Sequence, residues 1–308
     1  FGELTQGFWG LLSDQKTAVI EMACCAGLPL AEGRLNPMNA TTYGVGQLIM
    51  AAVEENVEHI ILGLGGSASN DGGCGLAAAC GVKFIDADGA EFIPTGGTLQ
   101  KIRHIQMDSL PAKLKNVKIT AICDIDNPLF GQNGAAYVFA PQKGADETMV
   151  RKLDEGLVHL NDTFIKDLGI DISRLPGGGA AGGMGAGVCA LLGAELKMGI
   201  ETVLNMVGFD EMLTDADLVF TGEGRLDGQS LRGKVVIGVA RRAAMQKVPV
   251  VAVVGDIAKG SEKVYEEGVT AFFSTNTVAM DFSKSKPYAK ENLRITMRNL
   301  MRFAHKFD

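Results

Sequence analysis

A chain of 308 residues has room for one large or two ordinary domains and can bury a core without disulfide or metal staples. Its formal net charge of -7 argues against nucleic acid as a partner, because a phosphate backbone demands a basic surface. No run of about 18 uninterrupted apolar residues is present, so no membrane span is expected. The six cysteines form no CxxC pair, so they read as reduced thiols in a cytoplasmic protein.

Taken in order, apolar runs and helical patterns alternate, which predicts an α/β architecture. TAVIEM (17–22) reads as a strand. Thr41 and Thr42 are placed to cap a helix whose apolar positions Val45, Leu48, Ile49, Ala52 and Val53 follow a helical period. HIILGL (59–64) is a continuous apolar run, the mark of a strand covered on both faces. VKITAIC (117–123) predicts another strand, and 146–168 a charged helix with a stripe of Met149, Leu153, Leu157, Leu160 and Phe164. Further on, DLVF (217–220), VPVVAVV (248–254) and 269–273 predict three strands. Helices are expected over 234–246 and 286–306. The last third reads as an open parallel, Rossmann-like sheet, and the remainder as a separate mixed-sheet α/β unit. The expected domains are 1–205, carrying the glycine-rich loops, and 206–308.

Forty glycines, gathered into short runs, suggest loops that let backbone amides approach a ligand. The first run, GLGGSASNDGG (63–73), lies between a strand and a helix, where amides at a helix start favour an anion. Gly65, Gly66, Gly72 and Gly73 would bring the backbone close. Ser67, Ser69 and Asn70 would add side-chain hydrogen bonds, and Asp71 would hold a metal or accept a proton. A tight capped turn is the plainer reading. Neither a Walker A loop nor a GxGxxG dinucleotide fingerprint is present.

The second run, GGGAAGGMGAG (177–187), reads as a flexible strap over a ligand through Gly178, Gly179, Gly182 and Gly183, or as close helix packing. The third, TGEGRLDGQSLRGK (221–234), follows a strand and crowds Glu223, Arg225, Asp227, Gln229, Ser230 and Lys234 into one loop. Acids beside cations suit a magnesium nucleotide, although a solvated loop with surface ion pairs has the same composition. In CDIDNPLFG (123–131), Asp124 and Asp126 are spaced to point the same way and share a cation or clamp hydroxyls, or else they belong to an Asn127–Pro128 turn.

GLGGSASNDGG, CDIDNPLFG, PGGGAAGGMGAG and ADLVFTGEGRLDGQSLRGK, in this order, resemble the type-1 glycerate kinase family, in particular its bacterial glycerate 2-kinase branch. The resemblance implies two α/β domains with the active site in the cleft between them. It implies ATP-dependent phosphorylation of D-glycerate to 2-phosphoglycerate or 3-phosphoglycerate, with Mg2+ bridging the nucleotide phosphates. Asp71, Asp124 and Asp227 are the candidates for the carboxylate that takes the hydroxyl proton, and the sequence does not choose among them. Asp126 and Glu223 are the candidate metal ligands, and Arg225 and Lys234 the phosphate contacts.

A homodimer is a further expectation. The PDSFK-like and ADGGEGT-like strings with which family members begin are not found, so the resemblance implies that Phe1 corresponds to a point inside a family member. A catalytically inactive, truncated homologue or a ligand-binding protein is the competing expectation.

Overall fold

The computed structural model describes residues 1–228, 235–278 and 280–306. The chain divides into two compact units, Phe1–Gly199 and Ile200–Asp308.

In the first unit the strands are β1 (Gly10–Leu11), β2 (Thr17–Glu21), β3 (His59–Gly63), β4 (Lys83–Ile85), β5 (Glu91–Phe92), β6 (His104–Gln106), β7 (Lys118–Ile122) and β8 (Glu195–Lys197). One mixed sheet has the order β1-β2-β3-β7-β8, in which β2, β3, β7 and β8 run parallel and β1 pairs antiparallel with β2. Its centre is in register as Ala18↔Ile60↔Ile119 and Ile20↔Leu62↔Ala121. Those six side chains share one face by the two-residue strand period, and all are buried. They pack on Val45, Ile49, Ala52 and Val53 of the Tyr43–Glu54 helix, each such burial contributing about 1.5–3 kcal/mol for the larger side chains.

A small antiparallel sheet, β5-β4-β6, forms a second core. There Phe84 and Ile105 meet Leu157, Leu160 and Phe164 of the Glu147–Leu168 helix. Asp146 caps that helix by accepting the Met149 amide at 2.8 Å, and Gly169 ends it in a left-handed conformation.

The second unit carries β9 (Val219–Thr221), β10 (Arg225–Leu226), β11 (Val250–Val254), β12 (Asp256–Ile257) and β13 (Ala271–Ser274). The described strands form a parallel sheet, β13-β11-β9, and a parallel pair, β10-β12. Val250, Ala252 and Val254 pack with Val236, Ile237, Ala240 and Ala243 of the Val235–Met245 helix.

Element bounds differ from the sequence expectation where backbone chemistry intervenes. Pro249 lacks an N–H, and the strand begins at Val250, the residue after it. Pro287 lies in a separate 3-10 turn, Lys286–Tyr288, so the last helix begins at Ala289 and ends at Ala304. Among the described residues no helix is long and apolar enough to cross a membrane.

Candidate functional site

Strands β3 and β7 end side by side, with the Leu64 amide donating to the Ile122 carbonyl at 3.2 Å. Beyond them the 63–67 and 123–125 segments border an open cavity of about 410 Å³. This is the carboxyl edge of a parallel sheet, where the chain turns back and strand-end groups converge. The glycine loop is fastened on its far side, since Leu28 N–H donates to the Gly66 carbonyl at 2.8 Å and Ala68 N–H to the Ala26 carbonyl at 2.9 Å. Gly66 turns the chain with a φ of +72°, a conformation that favours glycine. A side chain added at Gly65 would meet nothing within 4 Å. The 63–67 half of the run is therefore open.

The other half is sealed, contrary to the expectation of amides waiting for an anion at the helix start. The Cys74–Ala79 helix has its first amides satisfied from within: Gly73 and Gly75 donate to the Asp71 carboxylate at 3.1 and 3.3 Å, and Gly72 donates to the Gly182 carbonyl at 3.1 Å. Asp71 also accepts the Thr42 amide and hydroxyl at 2.7 and 2.8 Å. Thr42 is thus the residue before the Tyr43–Glu54 helix, but its hydroxyl serves Asp71 and the Leu76 amide, not a cap. Burial pushes the Asp71 carboxyl up while its four donors pull it back. Asp71 is fully buried and lies outside the cavity lining, joining two helices within the protein.

Ser67 lines the cavity, whereas Ser69 and Asn70 are fully buried beside it in sequence. The Ser69 hydroxyl and both amide atoms of Asn70 have no hydrogen-bond partner in the protein. Native interiors rarely leave such groups unmatched.

The residue that sequence reasoning missed is Lys143. It closes the Pro141–Lys143 3-10 turn, ahead of Gly144 in a left-handed conformation, and its side chain is 1% exposed. Its Nζ donates to Ser67 Oγ and to the Ser69 carbonyl, both at 2.7 Å. Burial lowers its pKa to about 7, with the Asp71 charge acting the other way. No local pattern in PQKG marks this lysine for burial; the glycine that follows the lysine signals only a sharp bend.

The 177–187 run is not a flexible strap. Its residues 180–187 are buried at the start of the Ala180–Leu192 helix, which departs from helical backbone angles at Ala181, Gly182 and Gly183 and packs against the sealed half of the first run. A Cβ at Gly182 would overlap the Ser69 carbonyl oxygen, and one at Gly187 the Gly72 carbonyl oxygen. Gly183 likewise faces the Leu157 and Leu129 side chains, and Gly178 and Gly179 face the Leu175 and Pro128 carbonyls. These glycines let two backbones touch. Ala180 and Ala181 alone of the run reach the cavity wall.

The two acids of the 123–131 loop do not share one environment. Asp124 lines the cavity, is exposed, and accepts the Gly199 amide at 3.0 Å. Asp126 is also exposed but is not part of that lining. Asn127 supports the turn expected of Asn–Pro, donating to the Asn133 carbonyl at 2.8 Å.

In the second unit Glu223 and Asp227 are half-buried and Arg225 is exposed. Arg225 stands 3.5 Å from Asp256, a solvent-facing pair worth at most about 1 kcal/mol. Glycines keep this segment close to β11 and β12, because Gly222 faces the Val253 carbonyl and Gly255 the Gly224 carbonyl, which also accepts the Asp256 amide at 3.0 Å. Lys234, Gln229 and Ser230 lie outside the described residues.

Among the described residues no three His, Cys, Asp or Glu side chains gather into a metal cage. Magnesium takes one or two carboxylates and completes its shell with phosphates and water; of the two candidate carboxylates, Asp126 lies in the first unit and Glu223 in the second.

Comparison with known proteins adds to this geometry. The glycerate kinase family model matches residues 1–305. Glycerate kinase of Bacillus cereus (strain ATCC 10987) is 46% identical over 299 residues, which cover 97% of this chain and 78% of that protein. Glycerate 2-kinase of Escherichia coli K12 is 44% identical over 301 residues, covering 97% of this chain and 79% of its own. A crystal structure from Salmonella typhimurium LT2, provisionally assigned as glycerate kinase 2, superposes with a TM-score of 0.83 at 40% identity, covering 97% and 79% of the two chains.

Proposed function

The chain belongs to the glycerate kinase family, and from that membership we propose that it transfers the γ-phosphoryl group of ATP to a hydroxyl of D-glycerate, giving 2-phosphoglycerate. It is a phosphotransferase with an alcohol acceptor, as its relatives are named. The observation that carries the reading is the cavity at the ends of β3 and β7, which sets one accessible carboxylate, Asp124, beside open glycine backbone. A cavity of about 410 Å³ is within the range of small-molecule pockets.

In the transfer, the bond between the γ-phosphorus and the ADP oxygen breaks as one forms to the glycerate hydroxyl oxygen. The hydroxyl proton passes to a carboxylate. Asp124 suits that role: it faces the cavity, and the Gly199 amide fixes one oxygen while leaving the other available. Asp71 suits it poorly, because its oxygens are already engaged and buried. Within the second unit, Arg225 remains the candidate phosphate contact and Asp227 a candidate carboxylate of the strand-end segment.

Asp126 or Glu223 would hold a nucleotide-bound magnesium ion, which would supply charge neutralisation at the transferring phosphoryl group.

The test is release of ADP from ATP by the purified protein with D-glycerate and magnesium, and phosphorus NMR to identify the product. A 2-phosphate product is expected. Absence of ADP formation at millimolar D-glycerate removes the reading.

A further inference from the structure

The cavity wall contains a buried ammonium whose partners are both uncharged. Among the described residues lining the cavity, Lys143 is the one cationic side chain, and Asp124 the one carboxylate. Lys143 Nζ spends two of its three hydrogens on Ser67 Oγ and the Ser69 carbonyl. Among the described residues no carboxylate stands within ion-pair distance of it. Asp71 is near enough to be felt, but its oxygens are taken by Thr42, Gly73 and Gly75.

A buried charge without a counter-charge is expensive, and hydrogen bonds to two neutral acceptors, Ser67 Oγ and the Ser69 carbonyl, offset only part of that cost. The geometry has a further consequence for Ser67. Its oxygen accepts from Lys143, which leaves its own hydrogen for a different acceptor, and Ser67 itself borders the cavity. A hydroxyl donor, an ammonium and the open backbone at Gly65 thus share the lining of a cavity whose one carboxylate is Asp124.

We infer that Lys143, together with the Ser67 hydroxyl that it orients, is the receptor for the carboxylate of the acceptor substrate. This rests on the glycerate kinase reading and deepens it, by naming the group that separates a small hydroxy acid from an uncharged polyol. The carboxylate is bound at the Lys143–Ser67 end of the cavity, which leaves the substrate hydroxyls for Asp124. Lys143 contacts substrate directly, while the Ser69 carbonyl and Asp71 hold it in place from behind.

The test compares D-glycerate with D-glyceramide, which keeps both hydroxyls and lacks the negative charge. Kinetics of the purified enzyme with each acceptor are measured for the native protein, Lys143→Met and Ser67→Ala, with calorimetric titration of D-glycerate in the absence of ATP. For Lys143→Met, kcat/KM for D-glycerate is expected to fall on the order of 10- to 100-fold, as for loss of a charged hydrogen bond. The value for D-glyceramide and the KM for ATP should stay within about threefold, and calorimetric affinity for D-glycerate should fall in parallel. Ser67→Ala should show the same selectivity with a smaller loss.

Equal losses on both acceptors, or a rise in the KM for ATP alone, overturns the inference; the latter would make Lys143 a nucleotide-phosphate contact. The native enzyme supplies a readout that needs no variant. The ionisable groups around Lys143 are Asp71 behind it and Asp124 and Cys123 along the cavity, and burial holds the Cys123 thiol up and neutral. The KM for D-glycerate should therefore rise with pH above about 7 as Lys143 loses its proton, while the KM for D-glyceramide stays level. A glycerate KM flat from pH 6 to 9 also overturns it. If the native protein turns over no D-glycerate at all, the kinase reading has failed, which is a separate result from lost selectivity.

Discussion

Two glycine-rich runs of this chain look alike in composition and serve opposite ends. At 63–67 the glycines thin the wall of a cavity, and Gly65 borders empty space. At 177–187 they remove the space altogether, so that the helix beginning at Ala180 can lie against the carbonyls of Ser69 and Gly72. The lesson is that a glycine marks close approach without saying what approaches. In one run the neighbour is an open cavity, in the other a second backbone.

That contrast is open to attack by substitution. The largest effect is expected at the open site, from Asp124→Asn. Loss of a proton acceptor should lower kcat by about 10²- to 10⁴-fold. The unfolding midpoint should hardly move, because the amide oxygen can still accept from Gly199. An unchanged kcat would take the base assignment away from Asp124.

At the sealed run, Gly187→Val should destabilise the protein by about 3 kcal/mol, since its Cβ would overlap a backbone oxygen that cannot withdraw. A denaturant melt that matches the native one would show that the packing is looser than described.

Lys143 links the two halves and gives a dependence on pH. Its folded pKa, about 7, lies below the ordinary value of 10.5, so between them the unfolded chain holds more protons than the folded one. Stability therefore rises with pH in that window, by up to about 1.4 kcal/mol per unit from this group. Urea midpoints at pH 7, 8 and 9 should show this rise in the native protein relative to Lys143→Met. A difference that stays constant across the three would refute the burial of its charge.

The smallest effect is expected for Gly65→Ala. Stability should stay within about 0.5 kcal/mol, because the new methyl meets nothing. The KM for D-glycerate should still rise a few-fold as the methyl narrows the cavity, and a stability loss instead would move Gly65 to the packing class.

Much of the fold was legible because central strands advertise themselves. HIILG and VVAVV are continuous apolar runs, and both proved to be interior strands of parallel sheets. The antiparallel sheet was not singled out, since strands of two or three residues such as Glu91–Phe92 carry too little pattern. The site was half legible. Asp124 and Gly65 could be put forward, among other acids and glycines, because each follows a strand end, but the sequence did not single them out.

Lys143 could not, because its burial is created by residues 74 and 76 positions away, Ser69 and Ser67. Nor could Asp71 be told from a catalytic acid. Its partners include Thr42, 29 residues earlier, and no local spacing encodes that contact.

The Asp71 junction also has a consequence in heavy water. The amides of Thr42, Gly73 and Gly75 point at a carboxylate with no exposed surface, so solvent deuterium reaches them only when two helices part together. Their protons should be among the last to exchange, and all three at one rate. The Gly65 amide, a few residues up the same loop, should be replaced within the opening moments of the experiment. Gly65 and Gly73, in a single stretch of eleven residues, are thus expected to keep very different clocks, and a bound substrate would slow only the fast one.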